Sequence, residues 1–135
     1  MLSLLLLAAI RTDAAEIHAD TPPLPTQCTT TKFTWDGGVP PYVLQIIFQG
    51  NNSMAQEFDG ITGGSLLWMA NITAGTSLYL QVIDNSTYPA LNDSDPFTIQ
   101  PGLDSCLSQT PSAVPIAGEH VSVYSVRASL NGMHR

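Results

Sequence analysis

The amino-acid sequence predicts an all-β fold, an antiparallel sandwich of about six or seven short strands. Three observations carry this. Apolar and polar residues alternate with a period of two in successive short segments. Clusters of Gly, Pro, Asn and Asp interrupt those segments roughly every 8–12 residues. No stretch shows the apolar spacing of an amphipathic helix.

Residues 1–15 read as a signal peptide. Leu2 to Ile10 is a short apolar run, and Ala9, Ala14 and Ala15 are small residues suited to cleavage. No Lys or Arg precedes the run, and a buried helix or strand is the other reading. The run is about half of the ~20 residues a spanning helix needs, so no membrane span is expected here. Residues 16–27 contain Pro22, Pro23 and Pro25 and read as an extended lead-in. The sandwich domain is placed at 28–107, and 108–135 is expected to be a disordered tail.

Within the domain, Thr31, Phe33 and Trp35 alternate with Thr30, Lys32 and Thr34. Asp36 to Pro41 is turn chemistry: glycines supply positive φ and prolines end pairing. Tyr42 to Gln49 is the strongest strand, with Tyr42, Leu44, Ile46 and Phe48 on one face. Met54 to Phe58 is expected to form a short edge strand between turns at 50–53 and 59–64. Leu66, Trp68, Ala70 and Ile72 alternate along the next strand, and Ala74-Gly75 turns the chain. Leu78, Leu80 and Val82 alternate along 76–84, and a polar loop is expected from Asn85 to Ser94. Phe97 and Ile99 share one side of a last strand at 96–100. Pro96 should stand at its start, because proline donates no ladder hydrogen bond. Trp35 and Trp68 both fall on inward positions and read as core fillers.

With 135 residues the chain suffices for one domain. Charged residues make up 11%, against roughly 25% in ordinary soluble domains. The net charge is −7, and Lys32 is the one base between Cys28 and Cys106. A nucleic-acid binder needs a basic surface to displace counterions; that class is excluded, and an anionic membrane surface fits no better.

Four N-x-[ST] acceptors, with no proline in the middle, fall in this one segment: Asn51, Asn71, Asn85 and Asn92. Together with the apolar N-terminus they point to the secretory pathway. In that oxidising compartment the two cysteines favour a Cys28–Cys106 disulfide, with two free buried thiols as the other reading. Two distant cysteines without a partnered histidine lack the ligand spacing of a metal site. No cofactor is expected.

The run 33–42 (Phe-Thr-Trp-Asp-Gly-Gly-Val-Pro-Pro-Tyr), the Trp68 strand, Ala74-Gly75-Thr76-Ser77-Leu78 and Asp95-Pro96-Phe97-Thr98-Ile99 together resemble a group of fungal proteins. These are secreted or cell-surface proteins with a single immunoglobulin-like or fibronectin-III-like ectodomain. More distantly the segment looks like the N-terminal domain of yeast cell-wall glucan-assembly proteins. The resemblance covers about residues 24–107. It implies an immunoglobulin-like sandwich and transfers no catalytic residue. After Ser108 the chain departs from the group, with neither a Ser-rich stalk nor an apolar stretch.

The residues offer little for catalysis. No G-x-S-x-G occurs, and His18, His120 and His134 fall outside the expected domain. Glu57 with Asp59, and Asp93 with Asp95, are neighbours in sequence rather than carboxylates facing each other across a cleft. Asn92-Asp93-Ser94-Asp95 resembles a cadherin calcium linker in its clustered oxygens, but further acidic ligands are wanting, and a solvated turn is the simpler reading.

One face is unusual. If the strands at 42–49, 76–84 and 96–100 lie side by side, Val43, Ile47, Tyr79 and Ile83 point to solvent, where polar residues are the rule. These four are the candidate partner face. The expected function is a non-catalytic extracellular module at a fungal cell surface or wall, for adhesion, recognition or structure. Its partner would be an unknown extracellular protein or a wall polysaccharide. A polysaccharide-binding module and, behind it, a wall-active hydrolase are the other readings.

Overall fold

A computed structural model describes residues 15–108, 113–115 and 127–128 of the chain. The strands in chain order are β1 (His18–Ala19), β2 (Thr30–Asp36), β3 (Tyr42–Phe48), β4 (Met54–Ile61), β5 (Ser65–Met69), β6 (Ser77–Ile83), β7 (Leu91–Asp93), β8 (Phe97–Thr98), β9 (Ala113–Pro115) and β10 (Arg127–Ala128). One sheet has the order β1-β2-β5-β9. The other has the order β10-β4-β3-β6-β7, with β8 also paired to β6. All strand pairs are antiparallel. The expected sandwich is therefore present, and its division into β1-β2-β5 and β4-β3-β6-β7 is an immunoglobulin-like arrangement.

The alternation read from the sequence builds the core. Phe33 and Trp35 of β2, Leu66 and Trp68 of β5, Leu44 and Ile46 of β3, and Leu78, Leu80 and Val82 of β6 are buried together. Phe33 stacks on Trp68, with ring centroids 5.1 Å apart. Trp35 packs edge-on to Tyr42 at 5.7 Å. Both tryptophans are core residues, as expected.

The domain begins earlier than residue 28. Ile17 and Ala19 are buried in the core, Pro25 is fully buried, and β1 pairs with β2 through His18↔Asp36 and Ala19↔Trp35. The apolar alternation Ile17-His18-Ala19 explains this, and the prolines that follow end the strand. His18 consequently lies on the sandwich, exposed and 3.5 Å from Asp20. His120 and His134, and residues 1–14 of the expected leader at 1–15, lie outside the described residues.

Three further expectations are corrected. The short edge strand expected at Met54 to Phe58 is an eight-residue strand, Met54–Ile61, between β3 and β10. The polar loop at 85–94 contains a strand, β7, which pairs with β6 through Gln81↔Asp93, Val82↔Asn92 and Ile83↔Leu91. The tail is not wholly without structure either. Ala113–Pro115 pairs with β5 and Arg127–Ala128 pairs with β4. Unpaired strand edges leave rows of N–H and C=O groups without partners. In each sheet a late segment of this same chain takes one edge, β9 beside β5 and β10 beside β4, while β1 and β7 form the opposite edges.

Cys28 and Cys106 are disulfide-bonded with Cα atoms 5.4 Å apart, so the two ends of the expected domain are tied together.

Candidate functional site

The candidate face is the outer side of the larger sheet, and the strand register defines it. Val43 stands opposite Ile83, Gln45 opposite Gln81, and Ile47 opposite Tyr79. The four candidate residues therefore form two apolar cross-strand pairs with a glutamine pair between them. On the neighbouring strands that glutamine pair is extended. Gln45 Nε2 donates to Glu57 Oε2 at 2.7 Å, and Gln81 Nε2 donates to Asp93 Oδ1 at 2.8 Å. A polar belt, Glu57–Gln45–Gln81–Asp93, thus crosses β4, β3, β6 and β7. The belt was not anticipated. Its signal in the sequence is the pair of central outward glutamines, which gain meaning only once β4 and β7 are known to flank them.

Ile47 requires a correction. It was expected to face solvent, yet it is 6% exposed. Two irregularities interrupt the β3–β4 ladder. Ile46 pairs with Gln56 and Ile47 with Met54, so Ala55 is an extra residue. Such a bulge sets two residues against one and bends the strand. Ile47 stands opposite Tyr79 on β6 and does not belong to the core cluster that includes Ala55. A second shift lies between Tyr42↔Ile61 and Leu44↔Phe58, where Gly60 takes φ +69°. Val43, Tyr79 and Ile83 remain half-buried and reachable. The Tyr79 hydroxyl lies 3.3 Å from Asn52 Oδ1, at the rim.

The end of the sheet beyond Val43 and Ile83 is organised by Asp84. Its Oδ2 accepts the Val39 amide at 3.1 Å. Its Oδ1 accepts the Ala90 amide and the Ser86 hydroxyl, both at 2.8 Å, and the Ser86 amide at 3.3 Å. One carboxylate thereby holds the 37–41 loop and the 85–90 loop together. The Ala90 amide foremost, then the Ser86 hydroxyl and the Ser86 and Val39 amides, hold the Asp84 carboxyl below its usual range, although burial pushes it up. Nearby, Tyr42 donates its hydroxyl to Gly37 O at 2.7 Å, and burial, aided by the Asp84 charge, raises its phenol.

The acceptor asparagines all lie outside the core cluster. Asn51 is exposed in the β3–β4 turn, where its Oδ1 accepts the Ser53 hydroxyl at 2.7 Å. Asn85 is exposed in the 85–90 loop. Asn92 is half-buried on β7, with Oδ1 accepting the Ala19 amide at 2.8 Å. The fourth acceptor position is Asn71. It follows the end of β5, half-buried, and its Oδ1 accepts Gln56 Nε2 at 2.9 Å.

Of the paired acids, Glu57 and Asp93 are committed to the belt, and Asp95 is exposed. Among the described residues no three His, Cys, Asp or Glu side chains gather as a metal site, and no helix is long and apolar enough to cross a membrane. No protein-family model, curated protein or solved structure matches this chain.

Proposed function

We propose that this chain is a secreted, non-catalytic sandwich module acting at a fungal cell surface or wall in adhesion, recognition or structure. The observation that carries the reading is the outer face of the larger sheet. A tyrosine and aliphatic residues flank a polar belt there, on a rigid two-sheet scaffold. Tyrosine combines an apolar ring with a polar tip and suits contacts that are partly wet. A Cys28–Cys106 disulfide, four N-x-[ST] acceptors and an apolar N-terminal run support the extracellular setting.

The partner is an extracellular protein or a wall polysaccharide. The polysaccharide alternative draws on the belt, because amides and carboxylates beside Tyr79 suit a polyhydroxylated ligand. The hydrolase alternative is weaker. Glu57 and Asp93 stand three strand spacings apart, about 14 Å. Glycosidase carboxyls lie roughly 5–9.5 Å apart.

A glycan array run beside pull-down of wall extracts tests the proposal. Retained protein or polymer without turnover supports it, and release of sugar products rejects the non-catalytic reading. Intact mass before and after enzymatic removal of N-glycans tests the secretory assignment.

A further inference from the structure

We infer that Asn85 carries an N-linked glycan whose first N-acetylglucosamine packs on the ring of Tyr88. This rests on the proposal that the chain is secreted. Three observations on the loop between β6 and β7 carry it.

The first is the Asn85 side chain. Asn85-Ser86-Thr87 is one of the four N-x-[ST] sequences, and Asn85 is exposed. The other three carboxamides are engaged. Asn51 Oδ1 accepts the Ser53 hydroxyl, Asn71 Oδ1 accepts Gln56 Nε2, and Asn92 Oδ1 accepts the Ala19 amide. Among the described residues the Asn85 carboxamide makes no hydrogen bond, while its backbone amide donates to the Val39 carbonyl at 2.8 Å. A sugar on Asn85 therefore displaces no contact of the folded chain.

The second is Tyr88, which is 89% exposed. The Tyr42 hydroxyl donates to Gly37 O, and the Tyr79 hydroxyl lies 3.3 Å from Asn52 Oδ1. The Tyr88 hydroxyl has no partner among the described residues. A single exposed apolar side chain is ordinary. This one stands three residues from a free acceptor. The ring has an apolar face and a polar tip, which match the C–H face of a sugar and the hydroxyls on its rim. No side chain from Asn85 to Leu91 is charged, which suits a neutral sugar.

The third is the bracing of the loop. The Asp84 amide donates to the Ala90 carbonyl at 2.9 Å, and the Ala90 amide donates back to Asp84 Oδ1 at 2.8 Å, so the loop is closed at its ends. Ser86 Oγ stands 2.8 Å from Asp84 Oδ1 and 2.9 Å from the Tyr88 carbonyl oxygen. Three residue steps keep the Cα atoms of Asn85 and Tyr88 within about 11 Å, and a closed loop holds them nearer than an extended chain would. A side-chain amide bearing one pyranose ring covers that span. Because the loop is already ordered, little freedom is lost when ring and sugar meet.

In the transfer, Asn85 Nδ2 forms a bond to C1 of the first sugar as the bond from C1 to a lipid-pyrophosphate donor breaks. The pyrophosphate leaves on the lipid, and Nδ2 gives up one proton.

The test uses the full chain secreted by a eukaryotic host, with its glycans trimmed enzymatically to one N-acetylglucosamine per site. Peptide mass mapping should place a sugar on Asn85. Proton NMR should show one N-acetyl methyl moved upfield by an aromatic ring current. That displacement should vanish in Tyr88→Ala and in Asn85→Gln, both substitutions at exposed positions. A sugar on Asn85 with no methyl that responds to Tyr88→Ala overturns the packing. Sugars on other acceptors with Asn85 bare overturn the inference and leave secretion intact. A chain retained in the cell with no sugar on any acceptor overturns the secretory reading itself, and the inference with it.

Discussion

Trp68 donates its indole N–H to Gln56 Oε1 at 2.8 Å, joining β5 of the smaller sheet to β4 of the larger one. Gln56 in turn donates to Asn71 Oδ1 at 2.9 Å. A buried tryptophan is thereby connected, through one buried amide, to the asparagine that opens the Asn71-Ile72-Thr73 sequence. A buried donor that loses its acceptor costs about 1–3 kcal/mol, more than a hydrogen bond contributes on balance. Gln56→Leu should therefore destabilise by about that amount by stranding the indole N–H. Trp68→Ala should cost about 3–5 kcal/mol, as removal of a buried aromatic does. Urea titration of both variants measures this. A wild-type midpoint for Trp68→Ala would mean that the ring is not a core element.

The folded protein should contain no free thiol. The Cys28–Cys106 bond closes a loop with sequence separation 78. In the chain-entropy description such a loop contributes about 4.5 kcal/mol. Alkylation without reduction, read by mass spectrometry, should leave both cysteines unmodified. Two alkylated cysteines refute the pairing.

Asp84 should make the sandwich sensitive to acid. Its folded carboxyl sits below the ordinary range because four hydrogen bonds favour the anion. A group depressed in this way contributes stability that is present above its unfolded pKa, near 4, and is lost as pH falls through the folded value. Asp84→Asn should lower the denaturation midpoint at pH 7, since its amide N–H₂ cannot accept the loop donors. The gap to wild type should narrow as pH drops below about 4. A gap that stays constant from pH 7 to 3 would show that the Asp84 charge is not what holds the loops.

Tyr79 and Ile47 should separate binding from stability. Once a partner has been captured, Tyr79→Ala should weaken its binding about tenfold or more, as loss of an interface aromatic does, with the fold intact. Ile47→Ser removes a buried side chain, and its main effect should be a loss of roughly 2–4 kcal/mol in stability. Unchanged affinity for folded Tyr79→Ala removes this face from consideration.

Much of the sandwich is legible in the chain because alternation with a period of two is a local property. Phe33 with Trp35, Leu66 with Trp68, and Leu78 with Leu80 and Val82 declare their inward face without knowledge of any neighbour. Turn residues such as Gly37, Gly38 and Gly75, all at positive φ, mark where strands end. The candidate face followed from the same arithmetic, which correctly set Val43, Tyr79 and Ile83 on one side. The two cysteines, Cys28 and Cys106, are paired as the sequence favours.

Tertiary structure decided what depends on pairing. The bulge at Ala55 is a relation between β3 and β4, and Ile47 is buried although its register sets it opposite Tyr79 on the outward side. The belt Glu57–Gln45–Gln81–Asp93 needs four strands in register. Asp84 gathers donors from two loops, and Val39 lies 45 residues from it. The short β7, β9 and β10 carry too few residues for a periodic signal and form on edges already present. Each of these features joins groups far apart in the chain, so a pattern read along one segment does not contain it.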